Sequence, residues 1–535
     1  MLLRFSPFCL AALLPLVSAT RAPGDTRPNI IIFFPDTARA SDWGVSGYDH
    51  PFVQTPHAAA LAAGGATFLQ AHAQHTQCSP SRCALFSGRY LRGRGHRTQN
   101  HLLQASEDNV FAALKAVGYT TLHLGKNDVL AADAFNRTFS YWEGETGVAE
   151  GGNAFPFGEA GYYSFLSKPS PFNGSDPSRN GDLLAIDRVS AWLASGPPEP
   201  FAIWLPGVGA HPPYSAPADY YNMYSPAQVA AQAPLRRALP GSNKPLHLQP
   251  AVGIPRFRNL TAFNDSFFEK IAAVYLGRVS YIDFLLGRLM AGIDAAGAVG
   301  AQTALIFTSD HGDYAGDYHA VEKYPCALDD MLTRVPLIAR VPGGAPGVRV
   351  AAPVQTLDLF ATLLDLARVN ASTLDRTHSV SLLPAIMGAV PASSWAPRPY
   401  ASSDAGYVPG TKEVEPLDPA QAALYADVRN MYWPRGVEEL TPGHCDRAVM
   451  LKNATAKIVY RVSGVSELYD LVNDPLELMN RWGEPAHAAL QAALTADLLA
   501  FLVSTADVTP LFEDDRGLPP SGTPPFPWPP APLPA

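Results

Sequence analysis

Four short apolar runs, each long enough for one strand, lie in the first 310 residues of the chain. They cover residues 29–34, 120–124, 201–205 and 304–308. A continuous apolar run without alternation is typical of a parallel strand that is buried on both faces. Each run is followed by polar residues, which are Asp36, Lys126, His211, and the pair Asp310 and His311. Because ligands bind beyond the carboxyl ends of strands in open α/β sheets, we expect these side chains to meet at one edge.

Helical periodicity occupies the intervals between these runs. Apolar residues recur at helical spacing over residues 271–289, and residues 357–366 give a second amphipathic segment. Strands that alternate with helices predict an α/β fold with a mixed or largely parallel sheet between helices. After about residue 400 the alternation ends, and residues 454–461 and 467–471 predict strands of a small antiparallel unit. We therefore predict a main α/β domain over residues 20–400, a smaller C-terminal α+β domain over 401–510 and a proline-rich tail over 511–535.

The first 19 residues have the pattern of a secretory signal peptide. Arg4 provides the positive start, residues 9–17 are mostly apolar, and Val17-Ser18-Ala19 is a small-residue cleavage site. This apolar stretch is too short to span a membrane, and the tail lacks an apolar run, so we expect no stable membrane anchor. Six Asn-x-Ser/Thr sites fit a secreted or lysosomal protein; they are Asn136, Asn173, Asn259, Asn264, Asn370 and Asn453.

Composition and charge narrow the class of protein. The chain is 47% hydrophobic and 16% charged, which predicts a globular protein rather than a disordered one. Its formal net charge of -9 argues against a sequence-independent nucleic-acid binder. Four cysteines follow the signal peptide: Cys78, Cys83, Cys326 and Cys445. They are too few for a disulfide scaffold but permit two bridges, and we expect Cys83 to pack in the core.

The segment Cys78-Ser79-Pro80-Ser81-Arg82 has the residues of a helix start that faces an anion. Pro80 suits the first turn of a helix, which places Cys78 at the helix N-terminus, where free N–H groups favour negative charge. Arg82 follows four residues later and offers a planar donor fork for a tetrahedral oxyanion. Taken alone, the same segment is also explained by a helix start with a buried thiol.

Cys78-Ser79-Pro80-Ser81-Arg82 resembles the Cys-x-Pro-x-Arg signature of sulfatases, and further segments of residues 27–485 resemble the same family in the same order. Residues 27–36 are similar to its first strand and metal aspartate, and Gly125-Lys126 to its segment with an active-site lysine. Gly209-Ala210-His211-Pro212-Pro213 is similar to its His-Pro segment, and residues 308–313 to its second metal segment. Lys323 falls where the family has a second active-site lysine.

The resemblance implies an alkaline-phosphatase-like fold and a hydrolase of sulfate esters. Cys78 would be oxidised to formylglycine by a formylglycine-generating enzyme during export. Asp36, Asp310 and His311, with an oxygen of modified Cys78, would hold one divalent cation, and an oxygen-rich site favours Ca²⁺. Arg82, Lys126 and Lys323 would balance the sulfate charge, and His211 would protonate the leaving alcohol. The same residue types suit the chemistry itself, since sulfate transfer needs a nucleophile, cations around the oxygens and an acid.

Three positions depart from the common pattern of the family. Thr37 stands where many members have a second aspartate, so one carboxylate ligand is missing. His311 replaces an asparagine, and its nitrogen keeps Mn²⁺ and Zn²⁺ open as alternatives to Ca²⁺. Asp128 stands where a histidine is common, and His96 is a candidate to take over that histidine's role.

Two other functions stay open at this point. Relatives that hydrolyse phosphate diesters or phosphonate monoesters use the same cysteine-derived nucleophile. They also have an Asp-Thr pair at the first metal segment, as this chain has at Asp36-Thr37. A protein that binds sulfated glycans without catalysis would keep the pocket and leave Cys78 unmodified. For a sulfatase we expect a sulfated small molecule or carbohydrate as the substrate, and its identity depends on rim loops, residues 143–177 and 215–255, that have no recognisable signature.

Overall fold

The computed structural model describes residues 24–506 except 48–49, 94, 145–151, 171–179, 238, 240, 250–252, 371–373, 375–376, 408–426, 441–443 and 464. The predicted signal peptide, residues 1–19, and the proline-rich tail, residues 511–535, lie outside the described residues.

A large mixed sheet forms the centre of the main domain. Its strands are β1 (Asn29–Pro35), β2 (Ala66–His72), β3 (Thr120–Gly125), β4 (Tyr141–Gly144), β5 (Phe201–Gly207), β6 (Thr303–Thr308), β7 (Leu337–Arg340) and β8 (Val348–Gln355). Their order is β4-β3-β5-β1-β6-β7-β2-β8. Among these strands only β7 runs antiparallel to its neighbours. The four apolar runs are β3, β5, β1 and β6, which lie side by side in parallel and confirm the predicted α/β fold.

The side chains of β1 explain why the run is apolar throughout. Ile31 and Phe33 belong to the core on one face of the sheet, and Ile30, Ile32 and Phe34 belong to the core on the other face. Since successive residues of a strand point to opposite faces, a strand between two layers of helices must be apolar at every position. Burial of each of these side chains stabilises the folded state by about 1.5–3 kcal/mol relative to leaving it exposed to water.

Helices cover both faces of the sheet. The helices of seven or more residues in the described part of the chain are Pro56–Ala63, Cys78–Ser87, Val110–Ala116, Gly181–Ala194, Pro226–Gln232, Asp265–Ala295, Asp358–Leu366, Trp433–Leu440 and Ala488–Ser504. The two predicted helices are confirmed as Asp265–Ala295 and Asp358–Leu366. The first buries Ile271, Val274 and Leu285 on one face of the sheet, and the second buries Leu359 and Leu363 on the other.

A second, smaller sheet confirms the predicted antiparallel unit. Its strands are β9 (Ala401–Ala405), β10 (Ala448–Lys452), β11 (Ala456–Arg461) and β12 (Glu467–Asp470), in the order β12-β11-β10-β9. The helix Ala488–Ser504 packs Leu494 and Leu498 against this sheet. By length and composition alone, Pro485–Ser504 is one segment in the described part of the chain that is long and apolar enough to cross a membrane.

The cysteines of the described residues divide into two kinds. Cys326 and Cys445 form a disulfide between the loop after β6 and the segment before β10. Cys78 and Cys83 are free and buried. Cys83 belongs to the apolar core beneath the sheet, as expected for a packing residue.

Candidate active site

The predicted site residues meet at the carboxyl edge of the large sheet. Asp36 follows β1, Lys126 follows β3, His211 lies in the loop after β5, and Asp310 and His311 come directly after β6. Because these strands are parallel neighbours, their carboxyl ends bring the polar residues together. The structure therefore joins side chains that are up to 275 residues apart in the sequence.

The helix Cys78–Ser87 supplies two further predicted residues, Cys78 and Arg82, and Lys323 lies in the loop after β6. The helix begins at Cys78, with Pro80 in its first turn, and the preceding Gln77 makes no side-chain cap. Cys78 therefore sits among uncapped backbone N–H groups at the positive end of the helix. Its Sγ lies 3.3 Å from His311 Nε2 and 3.6 Å from Asp36 Oδ1.

Four buried side chains offer donor atoms to one point. They are Asp36, Cys78, Asp310 and His311, and their donor atoms all lie within 4.8 Å of one another. His311 Nδ1 donates to the Gly312 carbonyl at 2.8 Å, which directs Nε2 into the cluster. His311 Nε2 is 3.6 Å from Asp36 Oδ1 and 3.8 Å from Asp310 Oδ1. Such spacings fit ligands that surround one divalent cation at about 2.0–2.6 Å.

Arg82 bridges the two carboxylates of this cluster. Its Nη2 lies 2.8 Å from both Asp36 Oδ2 and Asp310 Oδ2, and its Nε lies 3.0 Å from Asp310 Oδ2. All three side chains are fully buried, so the guanidinium compensates two desolvated negative charges. It also orients the carboxylates, because binding both Oδ2 atoms leaves both Oδ1 atoms toward the donor cluster.

Lys126 lies beside the cluster and contacts a second carboxylate. Its Nζ is 2.6 Å from Asp36 Oδ2, 3.8 Å from Cys78 Sγ and 2.9 Å from Asp128 Oδ2. Although burial opposes ionisation of Asp36, the cations Lys126 and Arg82 hold the pKa of Asp36 well below its usual value. The carboxylate is therefore ionised and ready to bind a cation.

His211 and Lys323 form a hydrogen-bonded pair. Lys323 Nζ lies 2.6 Å from His211 Nε2, and His211 Nδ1 lies 2.6 Å from the Pro212 carbonyl oxygen. Burial, with Lys323 and Lys126 adding to it, lowers the pKa of His211 well below its usual value. The imidazole is neutral in this state, so Nδ1 donates to Pro212 and Nε2 accepts from Lys323.

Close backbone packing holds the His211 loop against Asp36. Gly209 has φ +59°, and a Cβ on it would lie 2.4 Å from the Asp36 carbonyl oxygen. Arg278 Nε donates to the Gly209 carbonyl at 2.6 Å, while Asp182 accepts the N–H groups of Val208 and Gly209 at 2.9 and 3.1 Å. Sequence reasoning missed Asp182 and Arg278, because they lie in helices outside every motif and act only through backbone atoms.

Thr37 also has a position that sequence reasoning did not foresee. It offers no carboxylate to a cation, but its Oγ1 donates to Asp36 Oδ1 at 2.5 Å and its backbone N–H donates to Asp310 Oδ1 at 3.0 Å. Its backbone has φ +65°, a conformation that directs these groups inward. Thr37 therefore orients both carboxylates.

The hypothesis that His96 takes over the role of the missing histidine is not supported by its contacts. His96 Nδ1 is 2.7 Å from the His101 carbonyl oxygen, and its Nε2 is 2.9 Å from Glu107 Oε1. Both ring nitrogens are thus occupied by residues outside the predicted site. Asp128 is the residue that contacts Lys126 and, at 3.8 Å, Arg82 Nη1.

The environment of Cys78 disfavours chemistry by the thiol itself. Burial and the Asp36 carboxylate raise the pKa of the Cys78 thiol to about 12. The thiolate is the nucleophilic form of cysteine, and a protonated thiol at neutral pH is a weak nucleophile. This arrangement suits a residue whose reactive group is produced by modification.

Known proteins of similar sequence include an alkaline phosphatase superfamily protein and a sulfatase. PehA of Trinickia caryophylli, a multifunctional alkaline phosphatase superfamily protein, is 24% identical over 533 residues, which cover 90% of this chain and 97% of PehA. An ulvan-active sulfatase of Formosa agariphila is 27% identical over 361 residues, which cover 64% of this chain and 62% of that sulfatase, less than two thirds of its length.

A solved structure shares the fold. The phosphonate monoester hydrolase of Agrobacterium radiobacter superimposes with a TM-score of 0.71 at 20% identity, over 90% of this chain and 96% of that one. At this identity the likeness concerns the fold alone. The sulfatase family profile matches residues 28–369, a range that contains every predicted site residue. The chain belongs to the sulfatase family.

Proposed function

We propose that this protein is an exported sulfuric ester hydrolase that uses a formylglycine made from Cys78 and one divalent cation. The observation that carries the proposal is the convergence of Cys78, at a helix N-terminus, with the buried donor atoms of Asp36, Asp310 and His311 within 4.8 Å. Family membership adds the sulfate ester as the substrate class.

Asp36, Asp310 and His311 would hold the cation, together with an oxygen of modified Cys78. Two carboxylates and a single nitrogen form a largely hard donor set, and Ca²⁺ is our assignment, with Mn²⁺ and Zn²⁺ as the alternatives that His311 keeps open. The bound cation would polarise a sulfate oxygen and offset negative charge at sulfur.

When Cys78 is converted to formylglycine, its hydrate would supply two hydroxyls on one carbon, one as the nucleophile for sulfur and one for release of sulfate as the aldehyde re-forms. Lys126 lies 3.8 Å from Cys78 Sγ and would bind a sulfate oxygen beside the nucleophile. The pair of Lys323 and His211 would deliver a proton to the leaving alcohol: an approaching anion favours protonated His211, and Lys323 at 2.6 Å is the nearest source. Arg82 holds Asp36 and Asp310 in place and compensates their charge throughout.

The proposal extends to the site of action. The disulfide Cys326 to Cys445 fits an oxidising compartment. The asparagines of four predicted glycosylation sites are exposed: Asn136, Asn259, Asn264 and Asn370. We therefore retain secretion or lysosomal delivery through residues 1–19, with modification of Cys78 by a formylglycine-generating enzyme on the way. A sulfated carbohydrate or small molecule is the partner in the pocket.

A second candidate is a phosphodiesterase or phosphonate monoester hydrolase. It is favoured by the full-length similarity to PehA and by the fold shared with a phosphonate monoester hydrolase. These esters, like sulfate monoesters, present a tetrahedral centre with one negative charge, so the same cations suit them.

Steady-state turnover of p-nitrophenyl sulfate and bis(p-nitrophenyl) phosphate by the exported protein tests the proposal. We expect the larger kcat/KM for the sulfate. A larger value for the phosphate diester would replace the proposal by the second candidate. Absence of both activities, with saturable binding of a sulfated glycan, would indicate a binding protein. The Cys78→Ala variant is the matched control for both substrates.

A further inference from the structure

Lys126, the cation nearest the nucleophile position, is shared between two carboxylates. Its Nζ lies 2.6 Å from Asp36 Oδ2 and 2.9 Å from Asp128 Oδ2. The side chains of Lys126 and Asp128 are 20% and 21% exposed, whereas those of Asp36 and Arg82 are 0% exposed. Asp36 therefore belongs to the floor of the site, and Lys126 and Asp128 form an ion pair that incoming ligands can reach.

Arg82, the second cation near Asp128, compensates the negative charge of Asp128 less closely than Lys126 does. Lys126 and Arg82 lower the pKa of Asp128 although burial opposes them, so the carboxylate is ionised. Arg82 Nη1 approaches it only to 3.8 Å, while the same guanidinium binds Asp36 and Asp310 at 2.8 Å. The Arg82 guanidinium therefore pairs mainly with the buried carboxylates of Asp36 and Asp310.

The second lysine of the site gives a useful contrast. Lys323 Nζ lies 3.4 Å from Glu322, but that carboxylate is also paired with Arg258 at 3.0 Å and with Arg435 at 3.5 Å. Glu322 is therefore paired with two arginines in addition to Lys323. The arginine near Asp128, Arg82, lies 3.8 Å away and is shared with Asp36 and Asp310, so the Asp128 charge acts mainly on ligands that bind to Lys126.

We propose that Asp128 selects the charge of the substrate, favouring tetrahedral esters with one negative charge over phosphate monoesters with two. The inference rests on the proposed function and narrows its substrate class to singly charged esters. A substrate oxygen that binds Lys126 comes close to the Asp128 carboxylate, and the second charge of a dianion adds repulsion in a partly desolvated site. Asp128 acts through Lys126 and at a distance, so it is a specificity residue and not a catalytic one.

Binding of two non-hydrolysable probes to the metal-loaded protein tests this role. Benzenesulfonate carries one charge, and phenylphosphonate carries two above its second ionisation; their shapes are nearly the same. In the Asp128→Asn variant we expect the affinity for phenylphosphonate to rise about ten-fold relative to benzenesulfonate. Asp128→Glu retains the charge and should leave the ratio of the two Kd values unchanged. An unchanged ratio in Asp128→Asn, or an equal shift in Asp128→Glu, would overturn the proposal.

Turnover separates this proposal from the proposed function. The substrates are p-nitrophenyl sulfate, bis(p-nitrophenyl) phosphate and p-nitrophenyl phosphate, which share a leaving group and differ in charge. Asp128→Asn should raise kcat/KM for the phosphate monoester relative to both singly charged esters. If the wild-type protein hydrolyses only the diester, the sulfatase proposal fails, while the ratio of diester to monoester still tests Asp128. A parallel fall for all three substrates would mean a merely structural role and would overturn the selection proposal.

Discussion

Two buried clusters of charge in this protein differ in how their charges are matched. Around β10, Lys452 pairs with Asp330 and with Glu477 at 3.0 Å, and Lys457 pairs with Glu477 at 2.6 Å. In that cluster anions and cations alternate. In the active-site cluster, Asp36 Oδ1, Cys78 Sγ and His311 Nε2 instead face one another at 3.3 to 3.6 Å.

This difference shows which feature distinguishes a ligand-binding site from a structural ion pair. Burial of charge alone does not distinguish them, because structural ion pairs are also buried and also shift pKa values. Convergence of the donor atoms of four side chains on one point does distinguish the active-site cluster, because atoms that surround one point can bind one cation. We therefore expect changes in the donor cluster to remove activity with little effect on stability, and changes in the β10 cluster to do the reverse.

The largest effect is expected for Cys78→Ser. A serine oxygen can attack sulfur, but it lacks the second hydroxyl that expels sulfate, so the variant should be sulfated once and then stop. Steady-state kcat should fall by at least about a thousand-fold. Mass spectrometry of the serine peptide after incubation with an aryl sulfate should show the adduct. Sustained multiple turnovers would contradict the aldehyde mechanism.

Removal of one donor charge, by Asp310→Asn, should come next. The amide keeps an acceptor for the backbone N–H groups of Thr37 and His311, and Arg82 stays paired with Asp36. We expect kcat to fall by about 100-fold or more, because the cation is lost. The free energy of unfolding of the metal-free protein should change by no more than about 1 kcal/mol.

Chelation provides the matching control for Asp310→Asn. Wild-type activity should disappear with a chelator and return with Ca²⁺, while the variant should respond to neither. Restoration only by Mn²⁺ or Zn²⁺ would overturn the calcium assignment. Full turnover by Asp310→Asn would show that the cation is held elsewhere.

The opposite result is expected in the β10 cluster for Glu477→Gln. This change leaves Lys452 and Lys457 as buried ammonium groups with reduced compensation, which costs about 3–5 kcal/mol. Denaturant unfolding measures the loss, and kcat per folded molecule should stay at the wild-type value. A fall in kcat without a change in the unfolding midpoint would contradict the assignment of the β10 cluster to stability rather than to activity.

The smallest effect concerns pH and His72, which lies beside the β10 cluster. Burial, with Lys452 adding to it, holds the pKa of His72 well below its usual value of 6.5. Below pH 6.5 the unfolded chain therefore binds a proton that the native state excludes, and stability falls as the pH is lowered. His72 accounts for a slope of about 1.4 kcal/mol per pH unit, which His72→Gln should remove. Equal slopes in both proteins would refute the assignment.

Local patterns predicted the parts of the fold that follow from local rules. A strand between two helix layers must be apolar throughout, so β1, β3, β5 and β6 were recognisable. β9 was not, because its sequence Ala401-Ser402-Ser403-Asp404-Ala405 is polar yet buried. Arg92 binds Asp404 at 3.0 Å, and Ser403 donates to the Ala73 carbonyl at 2.5 Å, contacts that only the tertiary structure supplies.

The candidate site likewise combines residues that local motifs predict with contacts that only the tertiary structure supplies. Motifs identified the donors, but the sequence predicted Arg82 as a ligand for the substrate anion, and its observed contacts are with Asp36 and Asp310. The positions of Asp182 and Arg278 depend on packing between distant segments. The boundaries of the domains, the signal peptide and the tail remain predictions.

The most direct test of the account is a mass spectrum of the peptide that contains residue 78, taken from the exported, active protein. The account predicts the aldehyde of formylglycine, or its hydrate, in place of the thiol, in a fraction that rises with specific activity toward p-nitrophenyl sulfate. An active protein in which Cys78 is entirely unmodified would contradict it.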